Sequence, residues 1–160
     1  MEKPDELLII NKNRQTKETV FKHSFVFLFA IFIIIDQASK YFAPNIYQNH
    51  FFAFSLPVNF YAMYAVYFFG IAGIIFYLIK HFENLSVRVL AAWTLILSGA
   101  VSNVGERIIL GFARDWIYIG SGIFNLADGY IIVGIIMLIL NPKSEKLNPK
   151  QITNSKISKF

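Results

Sequence analysis

The chain has no cysteine and little charge: of its 160 residues none is Cys and only 16% are Asp, Glu, Lys or Arg. The first absence removes disulfides, a thiol nucleophile and any thiolate metal site. The second is a deficit against the roughly 25% charged residues of an ordinary soluble domain, and it points to lipid as the solvent for much of the surface. Histidine is sparse as well. His23, His50 and His81 lie far apart, each flanks a hydrophobic segment, and none stands at metal-ligand spacing. No metal and no other cofactor is therefore expected.

What is abundant is apolar. Hydrophobic residues make up 56% of the chain and 17 of them are Phe. The length is that of one domain, and four spans of about 20 residues each would take half of it. Residues 1–23 form a polar, mixed-charge arm, too long and too acidic for the basic start of a cleaved signal peptide. The first apolar run, Phe25 to Ile35, spans only if it extends to about Phe42, which takes in Asp36 and Lys40. Phe60 to Ile79 carries no charge and is the cleanest span. The third runs from Val89 to about Leu110, with Glu106 and Arg107 near its end. Gly129 to Leu140 is too short to cross hydrocarbon at about 1.5 Å per residue. The fourth helix is therefore expected to begin near Ile123, carry Asp128 into the membrane edge, and end before Pro142.

The predicted architecture is an all-α membrane protein of four transmembrane helices: an arm over 1–23, a helical domain over 24–141 and a basic tail over 142–160. Orientation follows from Lys and Arg near the span ends. Five lie in the arm, five in the tail, and Lys80 and Arg88 in the loop between spans two and three, together twelve of the chain's 15. The loop from Ala43 to Asn59 has none, and Gly111 to Ala127 has only Arg114. Both termini are thus expected in the cytoplasm, with a small extracytoplasmic segment between helices one and two. Trp93 and Trp116 read as aromatic-belt anchors, and the basic tail as a solvated topology anchor, with binding to anionic membrane lipid as the alternative.

With alternating spans, Asp36, Lys40, Glu106, Arg107 and Asp128 all fall at the outer end of the bundle. An acid within a span costs about 2.5–3.5 kcal/mol at the centre and less near the interface, so acids on three helices at one depth mark a functional site by default. Gly99, Asn103 and Glu106 share one face of span three, Asn125 and Asp128 one turn of span four. Asp36 and Lys40 have the spacing of a helical ion pair. Two carboxylates facing each other split their titrations, so that one keeps a proton while the other activates water. Each group also has a plainer reading: an interfacial ion pair for Asp36 and Lys40, a snorkelling helix end for Glu106 and Arg107, and a dipole-facing first-turn acid for Asp128.

Five segments, in order, resemble the motifs of lipoprotein signal peptidase, the type II signal peptidase of bacteria. Asp36-Gln37-Ala38-Ser39-Lys40 is similar to DQxxK, and Asn49 to Ser55 to NxGxAFS. Ser102 to Arg107 is similar to GNxxDR, Asp115-Trp116-Ile117 to DFI, and Phe124 to Asp128 to FNxAD. The resemblance covers roughly Phe25 to Leu140. It implies an intramembrane aspartic endopeptidase of the bacterial inner membrane that removes signal peptides from diacylglyceryl-modified prolipoproteins, without a cofactor and as a monomer. The active site would face outward. The implied catalytic pair is Glu106 and Asp128, the polar shell is Asn103, Arg107, Asn125, Asp115, Asp36 and Lys40, and Asn49 and Phe54 contact substrate. Which carboxylate is acid and which base stays open. Glu106 stands where the family has Asp, Ser102 and Phe51 where it has Gly, and Gly129 where it usually has Ser. An alternative is an inactive relative that binds lipidated signal peptides without cleaving them.

Overall fold

A computed structural model of the chain describes residues 24–51 and 59–141. Four apolar helices carry it: α1 (Ser24–Phe42), α2 (Phe60–His81), α3 (Val87–Leu110) and α4 (Leu126–Ile139). The first three are long and apolar enough to cross a membrane, and α4 is a shorter apolar helix. Their outward faces are large hydrophobic side chains, among them Phe27, Phe68, Phe76, Ile109 and Ile139, which suits a lipid environment. The arm over 1–23 and the tail over 142–160, like the segment 52–58, lie outside the described residues.

Helices α2, α3 and α4 each begin on a residue suited to that position. Asn59 accepts a bond from the Tyr61 amide at the start of α2, and Ser86 one from the Val89 amide at the start of α3. Gly111 closes α3 at φ 84°, a left-handed conformation that costs glycine little, and its N–H returns to the Arg107 carbonyl. At α4, Asn125 and Asp128 form a reciprocal capping box.

That cap revises one boundary. The fourth helix does not start near Ile123, because Gly122–Phe124 is a strand and Asn125 is the cap. With 14 residues, α4 is about 21 Å long, short of the roughly 30 Å of hydrocarbon. By itself α4 is therefore too short to cross, and its polar first turn belongs to the end of the bundle that the strand preceding it helps to form.

Four short strands, none foreseen in an all-helical reading, complete this end of the bundle. β1 (Tyr47–Asn49) pairs antiparallel with β2 (Ala113–Asp115), setting Tyr47 opposite Asp115 and Asn49 opposite Ala113. β3 (Ile117–Ile119) and β4 (Gly122–Phe124) form a hairpin whose two-residue turn has Gly120 at φ 59°.

Helices α3 and α4 form the core contact. A Cβ on Gly99 would lie 2.3 Å from the Ala127 carbonyl oxygen, and one on Gly134 would lie 2.6 Å from that of Ala92. These two glycines let the backbones meet. The consequence is positional: Gly99 sets the first turn of α4, with Asp128 on it, directly against α3.

Candidate active site

The polar residues gather where α1 and α3 end and α4 begins. Asp36 and Lys40, on the last turns of α1, are almost fully buried, and Lys40 Nζ lies 2.8 Å from Asp36 Oδ2. The same ammonium reaches Glu106 Oε2 at 2.9 Å and donates to Asn103 Oδ1 at 2.9 Å. One lysine thus joins two carboxylates and an amide across α1 and α3. Asp36 also accepts from Ser102 Oγ at 2.6 Å and from the Ala127 amide at 2.9 Å, which ties the start of α4 to α1.

The Glu106 carboxylate is engaged by cations. Arg114 donates from Nε to Glu106 Oε1 at 2.6 Å and from its backbone amide to Oε2 at 3.0 Å. With Lys40 on Oε2 as well, the carboxylate sits between two cations. It lines a crevice of about 430 Å³ together with Gln37, Ser102, Arg114 and apolar residues of α1 and α3, and neither Asp115 nor Asp128 lines that crevice.

Asp128 has a different neighbour. Asn103 Nδ2 donates to its Oδ1 at 2.9 Å, and the Asn125 amide to its Oδ2 at 3.1 Å. Asn125, 2% exposed, donates from Nδ2 to Asn103 Oδ1 at 3.0 Å and to Asp115 Oδ1 at 2.5 Å. Asp115 also accepts from Asn49 Nδ2 at 2.8 Å. Asn125 therefore caps Asp128 through one set of atoms and holds Asp115 through another. Burial pushes the Asp115 carboxyl up to about 6, and the nearby charge of Asp128 adds to that rise against the hydrogen bonds from Asn49 and Asn125.

Arg107 closes the side toward α2. Its Nη2 donates to the Phe51 carbonyl at 2.9 Å, its Nη1 to the Asn103 carbonyl at 3.3 Å, and its guanidinium lies 5.8 Å from the centre of the Tyr67 ring. Tyr64 donates its hydroxyl to the Arg107 carbonyl. Arg107 Nε is buried with no partner among the described residues. No group of His, Asp and Glu able to hold a metal ion occurs among the described residues.

The structure thus brings together Asp36, Lys40, Asn49, Asn103, Glu106, Arg107, Asp115, Asn125 and Asp128, all expected at the site. Phe54 lies outside the described residues. Sequence reasoning missed Gln37, Tyr64, Tyr67 and above all Arg114. A signal for Arg114 existed: it is the one basic residue between Gly111 and Ala127, on the side otherwise cleared of positive charge.

Apolar helices enclosing a buried nest of carboxylates and amides define a multi-pass membrane protein with a polar site at one end of its bundle. Comparison with known proteins makes the class specific. The family model for signal peptidase II matches residues 28–142. The lipoprotein signal peptidase of Streptococcus agalactiae serotype V is 36% identical over 153 residues, covering 89% of this chain and 91% of its own. That of Fusobacterium nucleatum is 31% identical over 140 residues, covering 72% and 84%. The chain belongs to the signal peptidase II family. Two solved structures of a bacterial membrane enzyme, obtained by the in meso method, share the fold at TM-score 0.61 and 19% identity; one covers 79% of this chain and 95% of its own.

Proposed function

We propose that the protein is an endopeptidase of the bacterial cytoplasmic membrane that removes signal peptides from diacylglyceryl-modified prolipoproteins, with Asp115 and Asp128 as its water-activating pair. Family membership and the relatives' shared designation as lipoprotein signal peptidase support the substrate class. The carrying observation for the chemistry is Asn125, which binds Asp115 through its side-chain amide and frames Asp128 through its backbone amide and side-chain oxygen. Asp128 pairs with Glu106 in the sequence reading; the geometry favours Asp115 instead. The Glu106 carboxylate is clasped by Lys40, by the Arg114 side chain and by the Arg114 backbone amide, contacts that suit a structural role better than one of taking up and releasing a proton. Asp115, pushed up to about 6 by burial, is suited to hold a proton and to act as the general acid.

In this reading Asp128 takes a proton from water as the water oxygen bonds to the scissile carbonyl carbon. Asp115 gives its proton to the carbonyl oxygen. Collapse of the tetrahedral intermediate breaks the C–N bond as the proton on Asp128 passes to the leaving amine, and one hydroxyl of the intermediate returns its proton to Asp115, which restores both carboxyls. Asn103 and Asn49 hold the carboxylates in place, and Arg107 faces the side of Phe51 and α2, where the lipidated segment would enter from the bilayer.

The test is cleavage of a diacylglyceryl-modified prolipoprotein by the purified protein in lipid, beside Asp115→Asn, Asp128→Asn and Glu106→Gln. Both Asn variants are expected to lose cleavage by about 10³-fold or more while still binding substrate, on the scale of general acid–base groups acting together. Full activity in Asp115→Asn would remove it from the pair. Substrate binding without cleavage by the well-folded parent would identify a relative that keeps the groove and has lost the chemistry.

A further inference from the structure

We infer that Arg114 and Glu106 act as a matched pair of positioning residues, clamping one face of β2 so that its other face presents Asp115 to Asp128. The inference rests on Asp115 and Asp128 as the reacting pair. Six side chains close a ring: Arg114 Nη2 donates to Gln37 Oε1 at 2.9 Å, Gln37 Nε2 to Ser102 Oγ at 2.8 Å, and Ser102 Oγ to Asp36 Oδ2 at 2.6 Å. Asp36 pairs with Lys40, Lys40 with Glu106, and Glu106 with Arg114. Two cations face two anions, so the ring is neutral and its buried charges are compensated. It joins α1, α3 and β2.

The strand transmits this to the site. Successive side chains of a strand point to opposite faces. Arg114 faces the ring, while Asp115, the next residue, faces Asn49 and Asn125. The Arg114 backbone amide also binds Glu106 Oε2, so the peptide plane immediately before Asp115 is held by the same carboxylate as the side chain. The reach of Glu explains its presence. Its two oxygens span Arg114 on one edge and Lys40 on the other. An Asp at this position is one methylene shorter, by about 1.5 Å, and reaches one cation at the expense of the other. The extra methylene is thus the complement of Arg114, and Glu106→Asp lowers turnover here.

The experiment measures kcat, KM and the pH dependence of kcat/KM for the parent, Arg114→Gln, Arg114→Lys, Glu106→Asp and the double variant Glu106→Asp/Arg114→Gln, all in lipid nanodiscs, with Asp115→Asn as reference. Arg114→Gln and Glu106→Asp are expected to lose about 10- to 100-fold in kcat, the scale of an ångström of misplacement, with KM changed less than about threefold. They should also shift the limb of the pH profile that belongs to Asp115. Arg114→Lys, which keeps the charge toward Glu106, recovers part of the loss. The double variant should be no worse than the weaker single, because both changes break one linkage. Unchanged kcat and pH profile in folded variants, or losses that multiply, would overturn the clamp. An inactive Asp115→Asn beside a fully active Arg114→Gln sinks the clamp alone, whereas an active Asp115→Asn sinks the carboxylate pair. Should the parent not turn over, amide exchange at residues 113–115 and the Asp115 carboxyl titration by carbon NMR give the answer. Both must change in Arg114→Gln, and if neither does the clamp is wrong.

Discussion

Asp115, a member of the proposed carboxyl pair, also bears on the protein's stability. Its carboxyl is raised from 3.8 to about 6, so the folded state holds a proton that the unfolded chain releases. The associated stability is fully present below pH 3.8 and is lost as pH rises through about 6. By linkage this amounts to at most about 3 kcal/mol. Thermal unfolding midpoints in nanodiscs should therefore fall between pH 4 and 7, and the slope should be smaller in Asp115→Asn by the share that Asp115 contributes. A parent whose midpoint is flat across that range would show that burial does not hold the proton. The buried charges nearby follow another rule. Lys40 contacts both Asp36 and Glu106, and deleting one member of such a set leaves its partners buried and unpaired, which costs more than the intact set contributes.

Helix α4 is the element on which the geometry depends. Its N-terminus is held by the capping box, by the bond from the Ala127 amide to Asp36, and by close approach to α3 at Gly99. Since a Cβ at Gly99 would meet the Ala127 backbone as well as the Ile131 side chain, Gly99→Val forces the two helices apart. Overpacking of this kind costs about 1–3 kcal/mol, and here it also displaces Asp128. Gly99→Val is expected to lower both the unfolding midpoint and cleavage, while Gly70→Ala, at a position with open space around it, changes neither. Equal behaviour of the two variants would mean that the α3–α4 contact does not set the site.

For the whole molecule the open issue is which way the bundle lies. Twelve of the chain's 15 basic residues fall in the arm, the tail and the stretch joining α2 to α3, which predicts a site facing out of the cell. The absence of native cysteine makes the test simple. Single cysteines replacing Asn45 or Ser121 should react with a membrane-impermeant maleimide in intact cells, and cysteines replacing Asn84 or Ser155 should react only after lysis. The reverse pattern would invert the topology.

Much of this molecule is legible in its chain. Four apolar segments, the polar residues at their ends and five ordered motifs follow from residue type and spacing, because lipid demands long apolar runs and tolerates charge only for a reason. The strands and the start of α4 were less accessible. Three-residue strands carry too little periodicity to read, and the capping box at Asn125 competes with the apolar run that suggests an earlier start. Which carboxylate stands beside Asp128 was not legible at all. Glu106 and Asp115 are nine residues apart, both acidic and both near the same end of the bundle, so depth alone cannot choose between them. The proposal that Asp115 is that partner rests on the pairing of β2 with β1, the turn of its two faces and the reach of Arg114. Those are contacts between residues distant in sequence, and they exist only once the helices and strands have packed.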